Sequence, residues 1–298
     1  MRGKILLRGG GEFTLPPLLS WELTRTGGVP CDSFRVRCCA DAETVKKMDG
    51  AARFAALDGG ETALLGVVDE WSADYGADGF TLEVGGRGMA ARLLDNECEA
   101  GCYESATMLQ LLRDMAEPYG IVCRRNEASA QPFALEISAG ASRYAALEAG
   151  AKLCGVVPYF TADGVLELRR SRGTHRGVLP TARIISALRR DKRYGVISRI
   201  VLIDRKSGEK TELRGRGDFC ERVLYSADEA AAREKIERSS EDRRALMLTL
   251  AGVFAAEPGD TYFVSLPRLG VEGNYRVAET QRRADSRGEV TELTFWEV

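Results

Sequence analysis

Three acids stand beside two aromatics in ETALLGVVDEWSADYG: Asp69, Glu70 and Asp74 around Trp71 and Tyr75. A pair of carboxyls next to an aromatic platform is the equipment of glycoside cleavage, one acid giving a proton and the other attacking or activating water. That chemistry needs both carboxyls to face one cleft. On an extended strand adjacent residues point to opposite faces, so Asp69 and Glu70 would diverge. The plainer use of the segment is an edge, a loop or a subunit contact. A second candidate is G-x-G-x-x-A at Gly86, Gly88 and Ala91, after a strand over Thr81 to Val84. In a dinucleotide site such glycines bring a helix N-terminus against a pyrophosphate. Here LLDNECEAGC breaks the unit before a second parallel strand can form, and no βα alternation follows. The pattern instead predicts a glycine-assisted turn and a short helix that buries Met89, Leu93 and Leu94, with Arg87 or Arg92 in a salt link.

Other reactive residues are sparse. His175 is the sole histidine, which excludes H-E-x-x-H and multi-histidine zinc sites, and no G-x-S-x-G elbow accompanies it. Cys98 and Cys102 form a C-x3-C pair without a second chelating pair. The expectation is therefore no catalytic residue, no cofactor-binding residue, no cofactor and no metal ligand. Trp21, Trp71 and Trp296 read as barrel or interface anchors rather than a ligand cage.

The elements that must hold these residues are mostly strands. The chain has 298 residues, enough for more than one core, with 44% hydrophobic and 29% charged residues. Its 32 glycines fall largely between short apolar runs, which favours many strands and turns. Net charge is -2, so a strong general nucleic-acid binder is not indicated. The one basic cluster is Arg183, Arg189, Arg190, Lys192 and Arg193, a solvated or protein-facing surface unless it contacts a polyanion. The opening MRGKILLRGG has too short an apolar run for an export core, and no run is long enough for a membrane helix. The eight cysteines are then expected as free thiols in a reducing cytosol.

Phe34, Val36 and Cys38 alternate with Arg35 and Arg37, a strand signature. Glu61 to Gly76 reads as an apolar strand followed by an acidic, aromatic stretch. Ala77, Asp78 and Gly79 make a turn, after which Phe80, Leu82 and Val84 resume the alternation. Near residue 100 the pattern changes. Met108, Leu111, Leu112 and Met115 share a helical face within Tyr103 to Tyr119. Phe133, Leu135 and Ile137 alternate, and Ser142 caps a helix to Cys154. Asp163-Gly164 turns a hairpin in Val156 to Arg170. After the polar junction Ser171 to Gly177, Ser207-Gly208 turns another hairpin between 196–203 and 211–213. Ser226 and Glu229 have capping-box spacing for a helix to about Arg238. Two strands close the chain, Asn274 to Arg282 and Glu289 to Val298. The fold class expected is mainly β with an α+β insert: tandem barrel-like domains, 1–97 and 173–298, flanking a small α+β module, 98–172. The last strands are expected to pack back on the first domain.

Three passages carry a family resemblance over nearly the whole chain. In LLGVVDEWSADYGADGFTLEVGGRGMAARLLDNE, Gly66 and Asp69 match a G-x-(V/I)-D-like phrase. Gly86, Arg87, Gly88, Leu93 or Leu94, and Asp95 match a following G-R-(S/G)-x-x-x-x-L-x-D phrase. TMLQLLRDMAEPYGI and ASRYAALEAGAKLCG, closed by DGVLELRR, supply a similar small module. Gly273, Tyr275 and Val277 match a G-x-Y-x-V phrase before a closing hairpin. The chain resembles the baseplate hub proteins of phage tails, the group of late control protein D and the hubs of Mu-like and PBSX-like particles.

The resemblance implies a structural virion component rather than an enzyme: a homotrimer of tandem barrel-like hub domains. Its ring adapts a six-fold tail tube to a three-fold spike or tip, in a phage, a prophage-encoded particle or another contractile injection system. It implies partners in the tail tube protein, the spike or tip protein, other baseplate proteins and the tape-measure protein. Its lumen could pass DNA without sequence-specific binding, touching Arg189, Arg190, Lys192 and Arg193. Assembly would take place in the bacterial host cytoplasm, and the finished part would sit in the tail baseplate. Trp21, Asp69, Trp71, Arg87, Asp95, Tyr275 and Trp296 are the structural or interface candidates. The alternative is a tail-associated peptidoglycan-degrading enzyme using the carboxylates near Asp69.

Overall fold

The computed structural model describes residues 1–27, 31–77, 79–170, 173–204, 206–217, 221–241 and 243–298. Asp78 and Ser171, named above, lie outside the described residues, as do residue 172 at the end of the expected module and Cys220, one of the eight cysteines. The chain is mainly β with small helical insertions. It divides into two compact units. One comprises Met1–Thr174, Gly252–Gly259 and Glu279–Thr291; the other comprises His175–Ala251, Asp260–Ala278 and Glu292–Val298.

The first unit opens with β1 (Arg2–Leu7), β2 (Glu12–Thr14), β3 (Leu18–Thr26) and β4 (Ser33–Cys39). Helix α1 (Ala42–Met48), capped by the Asp41 side chain on the Thr44 N–H, leads to β5 (Ala51–Asp58). Then come β6 (Glu61–Gly76), β7 (Gly79–Gly88) and the single turn α2 (Ala91–Leu94). These strands pair antiparallel in the order β3-β4-β7-β6-β5-β1-β2. Glu279–Ala284, near the end of the chain, pairs antiparallel with Thr26–Trp21 on the far side of β3. The alternation at Phe34, Val36 and Cys38 is an inward face, buried with Ile5, Leu23, Phe54, Leu64, Leu82 and Val84.

The insert contains β8 (Gly101–Ala106), α3 (Met108–Met115), β9 (Cys123–Asn126), β10 (Phe133–Ile137), α4 (Arg143–Leu153), β11 (Val157–Phe160) and β12 (Leu166–Arg169). Met108, Leu111, Leu112 and Met115 all point into its core, meeting Leu147, Leu166 and Leu168. Each fully buried aliphatic side chain there contributes about 1.5–3 kcal/mol. Ser142 caps α4 through the Ala145 N–H, and the Asp163-Gly164 turn joins β11 to antiparallel β12. The helix expected from Tyr103 is shorter. Residues 101–106 form β8 against β10, and the Thr107 hydroxyl, accepting from the Gln110 N–H, starts the helix.

The second unit holds β13 (His175–Val178), β14 (Ile184–Asp191), β15 (Arg199–Ile203), β16 (Lys210–Arg214), β17 (Val223–Ser226), α5 (Glu229–Glu241), β18 (Arg244–Ala251) and β19 (Thr261–Leu266). Strands β20 (Val271–Asp285) and β21 (Gly288–Glu297) begin or end in this unit and pass into the other. Its main sheet runs β14-β18-β21-β20, with β19 pairing both β20 and β13. A three-stranded sheet, β16-β15-β17, packs beside α5 around Ile197, Ile200 and Ala232. The Ser207-Gly208 hairpin is present, β15 to β16. The helix cap differs from the sequence reading: Asp228 accepts from the Ala231 N–H, while Ser226, two residues before it, accepts from the Asp228 N–H.

Candidate functional site

From Thr81 the chain stays in strand through Gly88, further than its sequence implies, before the turn α2 and Asp95. Gly85, Gly86, Arg87 and Gly88 continue β7, each opposite a residue of β4 or β6. The glycines serve close approach rather than a turn. A Cβ on Gly86 would lie 2.0 Å from the Val67 carbonyl oxygen and 2.7 Å from the Phe34 ring. A Cβ on Gly66 would lie 2.4 Å from the Arg87 carbonyl oxygen and 3.0 Å from the same ring. The Phe34 ring therefore packs against two bare backbones and stacks on Phe54 at 4.4 Å. Antiparallel partners on both sides and a four-residue α2 leave no βαβ unit, which overturns the dinucleotide pattern.

The acidic, aromatic stretch is also strand. β6 extends through Gly76, and a bulge between Val68 and Glu70 leaves Asp69 without a cross-strand partner residue. Arg87 binds that bulge. Its Nε and Nη2 donate to the two Asp69 oxygens at 2.7 and 3.0 Å, and its Nη1 and Nη2 donate to the two Asp95 oxygens at 2.9 and 2.7 Å. The hydrogen bonds to Asp95 and then Asp69 push the Arg87 pKa above its ordinary value, and the same link holds Asp95 below the ordinary carboxylate range. Glu70 belongs to another cluster, where Arg35 lies 3.5 Å from it and 2.5 Å from Glu83. Asp74 is exposed and has no cationic partner among the described residues. Both oxygens of Asp69 are thus engaged, and Asp69 and Glu70 do not converge on one reacting position.

The other predicted residues separate by burial. Trp21 is buried in β3 with the Arg282 guanidinium 5.6 Å from its ring, and Trp71 packs on the same core. In the second unit Tyr275 is buried, and Trp296 is half-buried with Arg276 6.0 Å from its ring. Arg189 donates to the Leu269 and Gly270 carbonyls, both at 2.9 Å. Arg190 is exposed; Lys192 stands 5.3 Å from the Tyr194 ring; Arg193 and Arg243 both lie against Asp191. His175 opens β13 and is exposed. Among the described residues no group of three or more His, Cys, Asp and Glu could hold a metal ion, and no helix is long and apolar enough to cross a membrane.

Sequence reasoning missed a polar network built around the buried Arg25. Arg25 on β3 donates to Asp32 at 3.1 Å, Glu257 at 2.6 Å, the Phe160 carbonyl at 2.8 Å and the Tyr159 hydroxyl at 3.3 Å. Burial opposes its charge, but Asp32 and Glu257 outweigh burial and push its pKa above the ordinary value. Burial raises the Asp32 carboxyl against the pull of Arg25, and pushes Tyr159 up to about 12. The Arg169 guanidinium lies over the Tyr159 ring, 3.9 Å from its centroid. The partners of Arg25 come from sequence positions far apart, so no local spacing announces them.

With this geometry in view, comparisons place the fold. Residues 90–170 match the model of a family described as baseplate hub protein gp44-like, second domain. No curated protein matches. The structure is similar to the 43 kDa tail protein of prophage MuSo2 from Shewanella oneidensis, with TM-score 0.78 and 19% identity, covering 99% of this chain and 97% of that one. It is similar to the tail protein from Neisseria meningitidis MC58, with TM-score 0.76 and 17% identity, covering 99% and 96%. A type VI secretion component of E. coli, described as structurally similar to T4 tail proteins gp27 and gp5, has TM-score 0.60 and 13% identity, covering 94% and 73%. The chain resembles phage tail baseplate hub proteins in its insert sequence and in its fold.

Proposed function

We propose that this chain is the structural baseplate hub of a phage or phage-like tail. Three copies form a ring that joins a six-fold tail tube to a three-fold spike or tip and leaves a central channel. The observation that carries this reading is the coincidence of two likenesses: the hub-family match falls on the insert, and the fold of 99% of the chain parallels a prophage tail protein. In this reading 1–97 and 173–298 are the barrel-like hub regions and 98–172 the module between them. The tail tube, spike or tip, other baseplate proteins and tape-measure protein are its partners, and the assembled part resides in the tail. Arg189, Arg190, Lys192 and Arg193 face the channel and give a passing polyanion weak, sequence-independent contact.

The role is non-catalytic, and what supports this is the use already made of the acids: both Asp69 oxygens accept hydrogen bonds from Arg87. Affinity in such a part comes from interface area and a few central anchors. Size-exclusion chromatography with light scattering tests the reading. A trimer mass is expected, with electron-microscopy averages showing three-fold rings. A strict monomer that also fails to join tube or spike protein would overturn it, as would digestion of purified cell wall.

A further inference from the structure

Two strands leave one edge of their backbone open. On β6 the pairing with β5 stops at Val67, opposite Arg53, while the pairing with β7 continues to Gly76. Asp69 to Gly76 therefore has a neighbour on one side only among the described strands. On β14 the neighbour is β18, and the sheet path ends there. Open edges carry unpaired N–H and C=O groups that can accept another strand.

The two edges have opposite charge. Along β6 each arginine faces two carboxylates, Arg87 with Asp69 and Asp95, and Arg35 with Glu70 and Glu83. Each cluster keeps one negative charge unbalanced, and unpaired Asp74 adds another. Along β14 the exposed charge is basic, carried by Arg189 and Arg190. Arg189 meets only neutral carbonyls, and Arg190 has no carboxylate partner among the described residues. Both edges also expose apolar side chains: Tyr75 on β6 is 85% exposed, and Ile185 and Leu188 on β14 are 61% and 57% exposed. Ile185 is itself a bulge residue, between Ile184 and Ser186.

We infer that the Asp69–Gly76 edge of one copy pairs with the Ile184–Asp191 edge of a second copy, extending the sheet across the subunit boundary. This rests on the reading that the chain self-assembles, and it names the surfaces that do so. Backbone hydrogen bonds supply the adhesion, and the opposed charges select the right edge over a second β6 or a second β14. The contact is head-to-tail, joining two different surfaces, and such a contact closes into a ring when the rotation allows. The competing use of the acids is as guards that keep β6 from pairing with anything.

Asp74→Lys and Arg190→Glu separate these uses, since neither side chain supports the fold. Light scattering across a dilution series of the full chain, with circular dichroism to confirm folding, reads the dissociation midpoint. Each single variant is expected to dissociate at about tenfold higher concentration, and the variant carrying both changes to recover most of the loss. Hydrogen exchange should slow at 69–76 and 184–191 together when the wild type assembles. Wild-type assembly with unchanged midpoints in both single variants overturns the edge pairing and leaves the hub reading standing. New aggregation of Asp74→Lys without loss of the native assembly assigns the acids as guards and also overturns it. A wild type that stays monomeric throughout overturns both.

Discussion

Arg25 and Arg87 each bind two carboxylates, in opposite surroundings. The Arg25 side chain is 10% exposed and the Arg87 side chain 37%. Arg25 adds a phenol and a backbone carbonyl to its acids, joining β3, β11 and the 252–259 segment within one unit. Arg87 clips a β-bulge to the end of a single helical turn. The difference teaches where an ion pair can be a structural necessity. Buried, a guanidinium removed leaves a carboxylate that water cannot reach. Near the surface, solvent replaces most of what is lost.

The largest expected effect is that of Arg25→Met. It strands Asp32 and should cost about 3–5 kcal/mol by denaturant unfolding; a loss below about 1 kcal/mol would erase the distinction drawn from burial. Gly86→Ala comes next, because the Arg87 neighbourhood depends on backbone approach more than on charge. Its Cβ would collide with the Val67 carbonyl and Phe34, and a cost of about 1–3 kcal/mol is expected from forced shifts, read by the same unfolding curves. An innocuous Gly86→Ala would show that the glycine is not required for packing.

The smallest effect concerns Arg87 itself. Arg87→Gln should cost less than about 1 kcal/mol and less still at high salt, since exposed pairs are screened. Protons sharpen the same contrast. The Asp95 carboxyl is lowered chiefly by its hydrogen bond to Arg87. Its contribution is present above the ordinary aspartate range and is lost as pH falls through the lowered folded value. Asp32 is raised, chiefly by burial, so the folded chain holds that proton more readily and its contribution declines as pH climbs from the ordinary value toward the raised one. Stability against pH for Asp95→Asn and Asp32→Asn, each compared with wild type, should diverge in opposite directions. Parallel curves would refute the assignment.

What the sequence made legible was whatever local spacing controls. Phe34, Val36 and Cys38 reported a buried strand face, Ser142 its helix cap, and Asp163-Gly164 its hairpin, because each involves neighbours a few residues apart. Residues 101–106 did not report a strand, since only Ala106 there is buried and no alternation develops. β6 looked finished at Val68 because its outer half is exposed and acidic, a composition shared with loops. Gly86 and Gly88 imitated a phosphate grip because close backbone approach selects glycine for either purpose. The Arg25 network was invisible for the opposite reason: Tyr159 and Glu257 are 134 and 232 residues away from Arg25.

The way β20 and β21 pass between the units has a consequence for synthesis. The first unit cannot complete its sheet when its first 174 residues have emerged, since the strand that flanks β3 comes from Glu279–Ala284. Through most of translation β3 presents an open flank, and Arg25 waits for Glu257. An unpaired flank of this kind is an open template for another strand until β20 arrives. Closure of the first unit's sheet is therefore timed by the emergence of Glu279–Ala284 of β20, more than 250 residues after β3.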